Sequence, residues 1–150
     1  MRLTARITGP MRLLARLGEI QNVMFLAVDE QLEISAMAIH RDAVKSIAAK
    51  GSGSRTEVRY NPRREQKVSE PGSPPNQDLG DLSRSVKFEI DKAALQAVVG
   101  TNLKKGKHLE IGTTQMEARP WLFPAFEKNR EAIKEAIANA LRRSIKGAAS

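Results

Sequence analysis

The chain contains no cysteine among its 150 residues, which excludes disulfide bonds and thiolate metal sites. An intracellular setting is therefore expected. Aromatic residues make up only 4% of the sequence, so a core has to be built mainly from Leu, Ile, Val, Ala and Met. The longest purely apolar run, VMFLAV at residues 23–28, is far too short to span a bilayer, and no membrane association is expected.

Residues with catalytic or metal-binding chemistry are also scarce. The histidines, His40 and His108, fall in different predicted elements and lack metal-ligand spacing to acidic residues. The GSGS stretch at residues 51–54 lacks the lysine and the spacing of a phosphate-binding loop. Asp78 and Asp81 supply too few oxygen ligands for calcium, and Asp78 fits equally well as the cap of a following helical turn. We therefore expect no enzyme activity, no cofactor and no metal.

Positive charge is abundant: the net charge is +8 and the pI is about 10.1. Such a balance favours polyanions as partners, most often nucleic acid. The basic residues form two clusters, one around Tyr60 and one in the stretch NLKKGK. A solvated surface is the alternative interpretation of both clusters. The candidate DNA-facing residues are Arg59, Arg63, Arg64, Lys104, Lys105 and Lys107.

The first third of the chain predicts a strand followed by helices. Apolar and polar residues alternate over residues 2–8, as in an edge strand, although the arginine-rich start also resembles a transit peptide. Gly9 and Pro10 punctuate the chain before a short helix through MRLLARL. Residues 20–49 contain neither Pro nor Gly and carry two apolar stripes at helical spacing. This long helix is either central to the domain or meets another subunit on one side.

The remainder predicts a small antiparallel sheet and a closing helix, so the fold class is α+β in a single domain over residues 1–150. RTEVRYN is a plausible strand, and residues 61–78 are a proline-rich mobile loop or arm. A helical turn in LGDLSRSV leads into VKFEI and ALQAVVGT, which form a hairpin with DKA as its turn. NLKKGK is a basic loop, and HLEIG is a helical turn closed by Gly112.

The most secure element is an amphipathic helix over residues 122–145, with Pro124 in its first turn. Glu110 and Arg119 flank the Gly112-Thr113 turn that precedes it. We expect their carboxylate and guanidinium to form a bidentate pair. That pair would lock the turn and set the direction of the last helix.

Two segments together resemble the tail-completion, or head–tail joining, proteins of long-tailed bacteriophages. That family carries a Pro-Gly-x-Pro-Pro run followed by a Thr-Gly-x-Leu-Arg-x-Ser-Ile stretch. This chain has Leu79 where the family usually has Thr and Ser83 where it usually has Arg. The family later carries a Glu-Phe-Gly-Thr turn and then Ala-Arg-Pro-Phe-Leu-x-Pro-Ala before a terminal helix. In PGSPPNQDLGDLSRSV the matching residues are Pro71, Gly72, Pro74, Pro75, Gly80, Leu82 and Ser85. In LEIGTTQMEARPWLFPAF they are Glu110, Gly112, Thr113, Ala118, Arg119, Pro120, Leu122, Pro124 and Ala125, with Trp121 replacing the family's aromatic residue.

The resemblance implies a structural virion protein of the phage neck with no catalytic role. It also implies a homo-oligomeric ring, with six subunits expected, around the channel through which DNA passes. The implied partners are the head connector or stopper, the tail tube or terminator, and channel DNA through non-specific contacts. The protein would be assembled in the host cytoplasm and reside in the virion. The alternative from charge alone is a small basic nucleic-acid-binding domain.

Overall fold

The computed structural model describes residues 9–49, 53, 55–60 and 63–149. The strand expected over residues 2–8 lies outside them. The α+β class predicted from the sequence is confirmed, with helices at both ends and two small antiparallel sheets between them. In chain order the elements are α1 Gly9–Ala48, β1 Thr56–Tyr60, β2 Arg63–Lys67, α2 Asp81–Ser85, β3 Val86–Asp91, β4 Gln96–Thr101, α3 Lys104–Ile111 and α4 Phe123–Ala149.

Helix α1 is one continuous helix of 40 residues, about 60 Å long. The prediction of a short helix followed by a separate long one is wrong, because the two merge through Gly18. A single glycine costs only about 1 kcal/mol in a helix, and the Leu, Ala, Arg and Met residues around it are good helix formers. The helix ends at Ala48, directly before the predicted stop at residues 50–54.

Helix α4 packs antiparallel against the second half of α1. Near the start of α4, Asn129 Nδ2 donates to Asp42 Oδ2 at 3.1 Å, and Lys128 Nζ lies 3.0 Å from the same oxygen. Towards its end, Ala140 and Ser144 share a groove with Ala27 and Gln31 of α1. The amphipathic helix predicted over residues 122–145 is thus confirmed, and it extends four residues further.

The β3–β4 hairpin covers a second side of α1. Its register runs from Val86 opposite Thr101 to Asp91 opposite Gln96, so the predicted hairpin is confirmed, although its turn occupies residues 92–95 instead of DKA. At the turn, Lys92 Nζ lies 2.9 Å from Asp29 Oδ2, and this carboxylate raises the pKa of Lys92. At the other end, His40 Nε2 lies 3.1 Å from the Val86 carbonyl oxygen.

Of the loop predicted over residues 61–78, the structure describes residues 63–78, and these are more ordered than predicted. Residues Arg63–Lys67 form strand β2, which pairs with β1 in register from Thr56 opposite Lys67 to Tyr60 opposite Arg63. The loop prediction is therefore wrong for these residues. It relied on the lack of apolar side chains, whereas this hairpin is joined through backbone hydrogen bonds. Residues 68–80 contain no helix or strand, yet Ser69 and Pro75 are buried.

The core lies where α1, α2, α3 and the start of α4 meet. Trp121 is 1% exposed and is its largest member. Among the described residues, none of the helices is both long and apolar enough to cross a membrane. The buried cluster consists of Ala43, Ile47, Leu82, Val86, Leu109, Trp121 and Ala125.

Candidate assembly site

The segment between α3 and α4 is a rigid joint organised by the Glu110 carboxylate. Its Oε2 accepts hydrogen bonds from the backbone N–H groups of Trp121 at 2.8 Å and Leu122 at 3.0 Å, and its Oε1 accepts one from Phe123 at 2.8 Å. The first N–H groups of a helix lack intrahelical acceptors and carry partial positive charge. A carboxylate at that position therefore stabilises the start of α4 and fixes where it begins.

The chain returns from α3 to α4 through a turn that requires glycine. Gly112 has φ 77° and ψ −177°, a conformation that is essentially restricted to glycine. Its N–H donates to the His108 carbonyl oxygen at 2.9 Å, which closes α3 as the sequence predicted. Thr113 and Met116 then form an isolated antiparallel bridge. The Arg119 N–H donates to the Leu109 carbonyl oxygen at 2.7 Å, so the returning chain lies alongside α3.

Trp121 connects the joint to the core. Its indole Nε1 donates to the Gly106 carbonyl oxygen at 3.2 Å, which satisfies the polar atom of a buried tryptophan. On the other side, Ser46 Oγ of α1 donates to the Ala43 carbonyl oxygen at 2.7 Å and lies 3.3 Å from the Trp121 carbonyl oxygen, with which it can share the same proton. The side chain and the backbone of Trp121 are thus held by two different helices. This residue sets the distance between α3 and α1.

The predicted pair between Glu110 and Arg119 does not form, and that prediction is wrong. Glu110 is engaged by the backbone of α4, while Arg119 Nη1 lies 3.7 Å from Met116 Sδ. Residues 120–122 read Pro-Trp-Leu, so no capping side chain precedes α4 and its N–H groups need an acceptor from elsewhere. The lack of a capping residue in this stretch is the sequence feature that indicates a more distant acceptor, and in the structure that acceptor is Glu110.

The two segments that resemble the phage family meet in space. The Gly72 N–H donates to the Ala118 carbonyl oxygen at 2.9 Å, although the residues are more than forty positions apart in the sequence. Both segments also line one cavity of about 110 Å³. Pro75, Gly80 and Leu82 contribute from the first segment, and Leu109 and Arg119 contribute from the second.

The other residues of these segments hold the local backbone or face solvent. Ser85 Oγ lies 2.6 Å from Thr101 Oγ1 and so ties α2 to β4. Gly80 has φ 80° and is the N-cap residue of α2, so the predicted capping role of Asp78 is wrong. Pro71, Thr113 and Pro124 are exposed, and Pro74 and Pro120 are partly buried.

The basic residues occupy two places. Lys104, Lys105 and Lys107 lie in the first half of α3, so the basic loop predicted there is wrong. They are exposed, and no acidic residue lies in the first turn. Arg63 in β2 is exposed, and Arg59 pairs in register with Arg64. Lys67 at the end of β2 and Lys105 of α3 line the same cavity, so the end of β2 and the start of α3 lie on one side of the joint.

The described residues contain no group of three His, Asp or Glu side chains that would hold a metal ion. His40 packs edge-on against Phe88 with ring centroids 5.8 Å apart, and His108 is exposed. Comparisons of this chain with protein-family models, with curated proteins and with solved structures give no match. The joint between α3 and α4 fixes the direction of α4 relative to α3 and to the core.

Proposed function

We propose that this chain is a structural virion protein of the phage neck. In this proposal it is a tail-completion or head–tail joining subunit that forms a ring around the DNA channel. The observation that supports it best is that the two family-like segments form one joint, through the Gly72–Ala118 hydrogen bond and the shared cavity. The two segments that carry the family-like residues are distant in the sequence, yet both contribute to the same structural feature, the joint before α4.

The roles of the motif residues also fit a structural protein. Glu110 caps a helix, Gly112 turns the chain, and Trp121 fills the core. Each of these roles fixes geometry and none requires a substrate. A ring subunit needs such rigidity because small angular errors between neighbours prevent a heterologous interface from closing.

The proposed partners follow from the position of the ring. Six copies would surround the DNA between a head connector or stopper and a tail tube or terminator protein. The clusters at Arg63 and at Lys104, Lys105 and Lys107 provide exposed positive charge for non-specific contacts with DNA phosphates. The protein would assemble in the host cytoplasm and remain in the virion.

The test is deletion of the gene from the phage that encodes it, followed by complementation. We expect DNA-filled heads and finished tails to accumulate without joining, and purified protein added to that lysate to restore joined particles. Electron microscopy of the restored particles should show the protein as a ring at the joint. Normal virions from the deletion strain would refute the proposal.

A second candidate function is binding of nucleic acid by the isolated subunit. It is favoured by Tyr60, which is 80% exposed at the end of β1 and lies opposite Arg63 of β2 in the strand register. An exposed aromatic ring beside basic side chains is the arrangement on which bases stack. This function predicts tight binding of DNA with a steep salt dependence, lost in Tyr60→Ala with Arg63→Ala. The neck proposal predicts weak binding that this double variant reduces only slightly.

A further inference from the structure

The cavity that the two family-like segments share is lined mainly by polar residues. Its volume is about 110 Å³. Its lining includes the exposed residues Lys67, Gln77 and Lys105, so it opens to solvent. A water molecule occupies about 30 Å³ in the liquid. The cavity therefore has room for about three or four water molecules, or for one compact ion of similar size.

Two residues that line this cavity carry buried polar atoms without a hydrogen-bond partner. Among the described residues, three buried side-chain atoms lack a partner, namely Asp29 Oδ1, Asn76 Oδ1 and Arg119 Nε. The last two belong to the lining of the cavity. Unpaired buried polar atoms are costly, and they commonly mark a bound water, ion or ligand. Since Arg119 Nε is a donor and Asn76 Oδ1 is an acceptor, a ligand that satisfies both offers an acceptor and a donor.

Positive charge is in excess around the cavity. Three cationic residues line it, namely Lys67, Lys105 and Arg119. In the part of the chain that the structure describes, none of these three forms an ion pair with a carboxylate. Asp78 and Asp81 also line the cavity, but Asp81 Oδ1 lies 2.7 Å from Arg84 Nη2 and is paired with it. Three cations therefore face one further carboxylate, which favours an anionic ligand.

That further carboxylate, Asp78, determines which anion the cavity prefers. The Gln66 amide, oriented with its nitrogen towards Asp78, donates to the two carboxylate oxygens at 3.0 and 3.2 Å. The negative charge of Asp78 repels an anion without a proton, whereas a protonated anion can donate to Asp78 or to Asn76 Oδ1. A phosphate group that retains a proton has both acceptor oxygens and one such donor. Sulfate has the same tetrahedral shape but no proton to donate.

We propose that this cavity binds a phosphate group that carries a proton, either as inorganic phosphate or as the end of a phosphomonoester. The Arg119 guanidinium donates to the phosphate oxygens, and its planar set of N–H groups matches them in geometry. Lys67 and Lys105 attract the anion from solvent, and Asn76 Oδ1 accepts the phosphate proton. The internal phosphodiesters of nucleic acid lack that proton and are linked on both sides. The inference goes beyond the proposed neck function and does not depend on it.

The experiment titrates full-length protein with sodium phosphate and, separately, with sodium sulfate at equal ionic strength. Isothermal titration calorimetry at about pH 6 is suitable, because a phosphate group largely retains a proton there. We expect a phosphate Kd below about 1 mM and sulfate binding that is weaker by about tenfold or more. In heteronuclear NMR spectra, the Nε–H resonance of Arg119 should shift on addition of phosphate.

Three variants test the residues that hold the anion. Arg119→Met should weaken phosphate binding by about tenfold or more and Lys105→Met by about threefold, since each removes a positive charge. Asp78→Asn should improve sulfate binding so that most of the preference for phosphate is lost, which a purely structural role would not cause. Lys107→Met is the matched control, because Lys107 is exposed on the same helix outside the cavity lining. Circular dichroism verifies folding, and the exposed position of Lys105 keeps the test available if Arg119→Met does not fold.

Further probes identify the source of the phosphate group. An oligonucleotide with a 5′-phosphate is compared with the same oligonucleotide without it, and glycerol phosphate is compared with glycerol. Binding of inorganic phosphate alone supports a site for the free ion, and preference for the phosphorylated probes supports a site for a monoester end. The proposal is overturned if no phosphate probe binds better than its counterpart without a protonated phosphate. It is also overturned if Lys105→Met and Lys107→Met have equal effects, or if Asp78→Asn leaves the preference over sulfate unchanged.

Discussion

The Glu110 carboxylate accepts a hydrogen bond from the Trp121 backbone N–H at 2.8 Å, so a side chain of α3 holds the residue that leads into α4. The two residues are eleven positions apart, and the Gly112 turn between them brings the chain back. One acidic side chain thereby determines the start of the final helix and its angle to α3. The stability of the protein should depend on it accordingly.

Glu110→Ala should lower the free energy of unfolding by about 2–3 kcal/mol, because three backbone N–H groups lose a charged acceptor. Glu110→Gln should cost less, about 1 kcal/mol, since one oxygen acceptor is retained. Urea denaturation measures both values. Hydrogen exchange at Leu122 and Phe123 should accelerate in the Ala variant. Glu117→Ala, at an exposed neighbouring position, is the control, and an equal loss there would contradict the capping role.

Gly112→Ala should destabilise the protein by roughly 2–3 kcal/mol. A Cβ atom at this position would lie 2.9 Å from the Ala118 nitrogen and the Met116 oxygen, and φ is already +77°. Gly147→Ala is the matched control, since a Cβ atom there meets nothing within 4 Å and the helix gains up to about 1 kcal/mol. In thermal denaturation, the melting temperature should fall for Gly112→Ala and rise for Gly147→Ala. A neutral Gly112→Ala would show that the turn relaxes freely.

Gly106→Ala should cost about 1–3 kcal/mol through overpacking. The added methyl group would overlap the γ-methyl group of Thr101, and Thr101 cannot rotate freely because its hydroxyl lies 2.6 Å from Ser85 Oγ. Thr101→Ser removes that methyl group and keeps the hydroxyl. The double variant should therefore recover most of the loss in a denaturation experiment. If the stability changes of the two single variants simply add in the double variant, contact with the Thr101 methyl group is not the source of the strain.

Asp42→Asn should make stability less dependent on pH in acid. Hydrogen bonds from Lys128 and Asn129 lower the pKa of Asp42 from 3.8 to about 2. Since the folded pKa lies below its ordinary value, this stabilisation is complete above about pH 4 and is lost as the pH falls through about 2. At pH 7 the variant should lose about 1–2 kcal/mol, allowing for the solvent around Lys128.

The measurement for Asp42 is urea denaturation between pH 2 and pH 7. The difference between wild type and Asp42→Asn should shrink steadily below about pH 4. Glu135→Gln on the exposed side of α4 is the control and should show little difference at any pH. A constant difference across the whole range would exclude the ion pair as its cause.

The elements that the sequence predicted well are those with strong periodicity. Helix α4 and the β3–β4 hairpin follow from apolar spacing alone, because each has one face to bury. The two stripes over residues 20–49 correctly predicted a helix covered on two sides, since α4 and the hairpin both pack on it. Glycine at position 112 correctly marked the end of α3.

The errors arise where backbone hydrogen bonds override side-chain composition. β2 has the sequence RREQK, which carries no apolar signal, and it forms because β1 offers a ladder of partners. The lysines at positions 104, 105 and 107 were assigned to a loop on charge, although Lys is a good helix former. The predicted Glu110–Arg119 pair does not form because the unpaired N–H groups at the start of α4 occupy the Glu110 carboxylate.

The single long rod of α1 turns small rotations into large displacements. Residues 11–26 span about 24 Å, so a tilt of roughly 5° near Asp29 would move the tip by about 2 Å. Helix α4 contacts one side of α1, and the β3–β4 hairpin contacts another side through Lys92. These contacts limit the tilt of α1 and thereby fix the direction of residues 11–26.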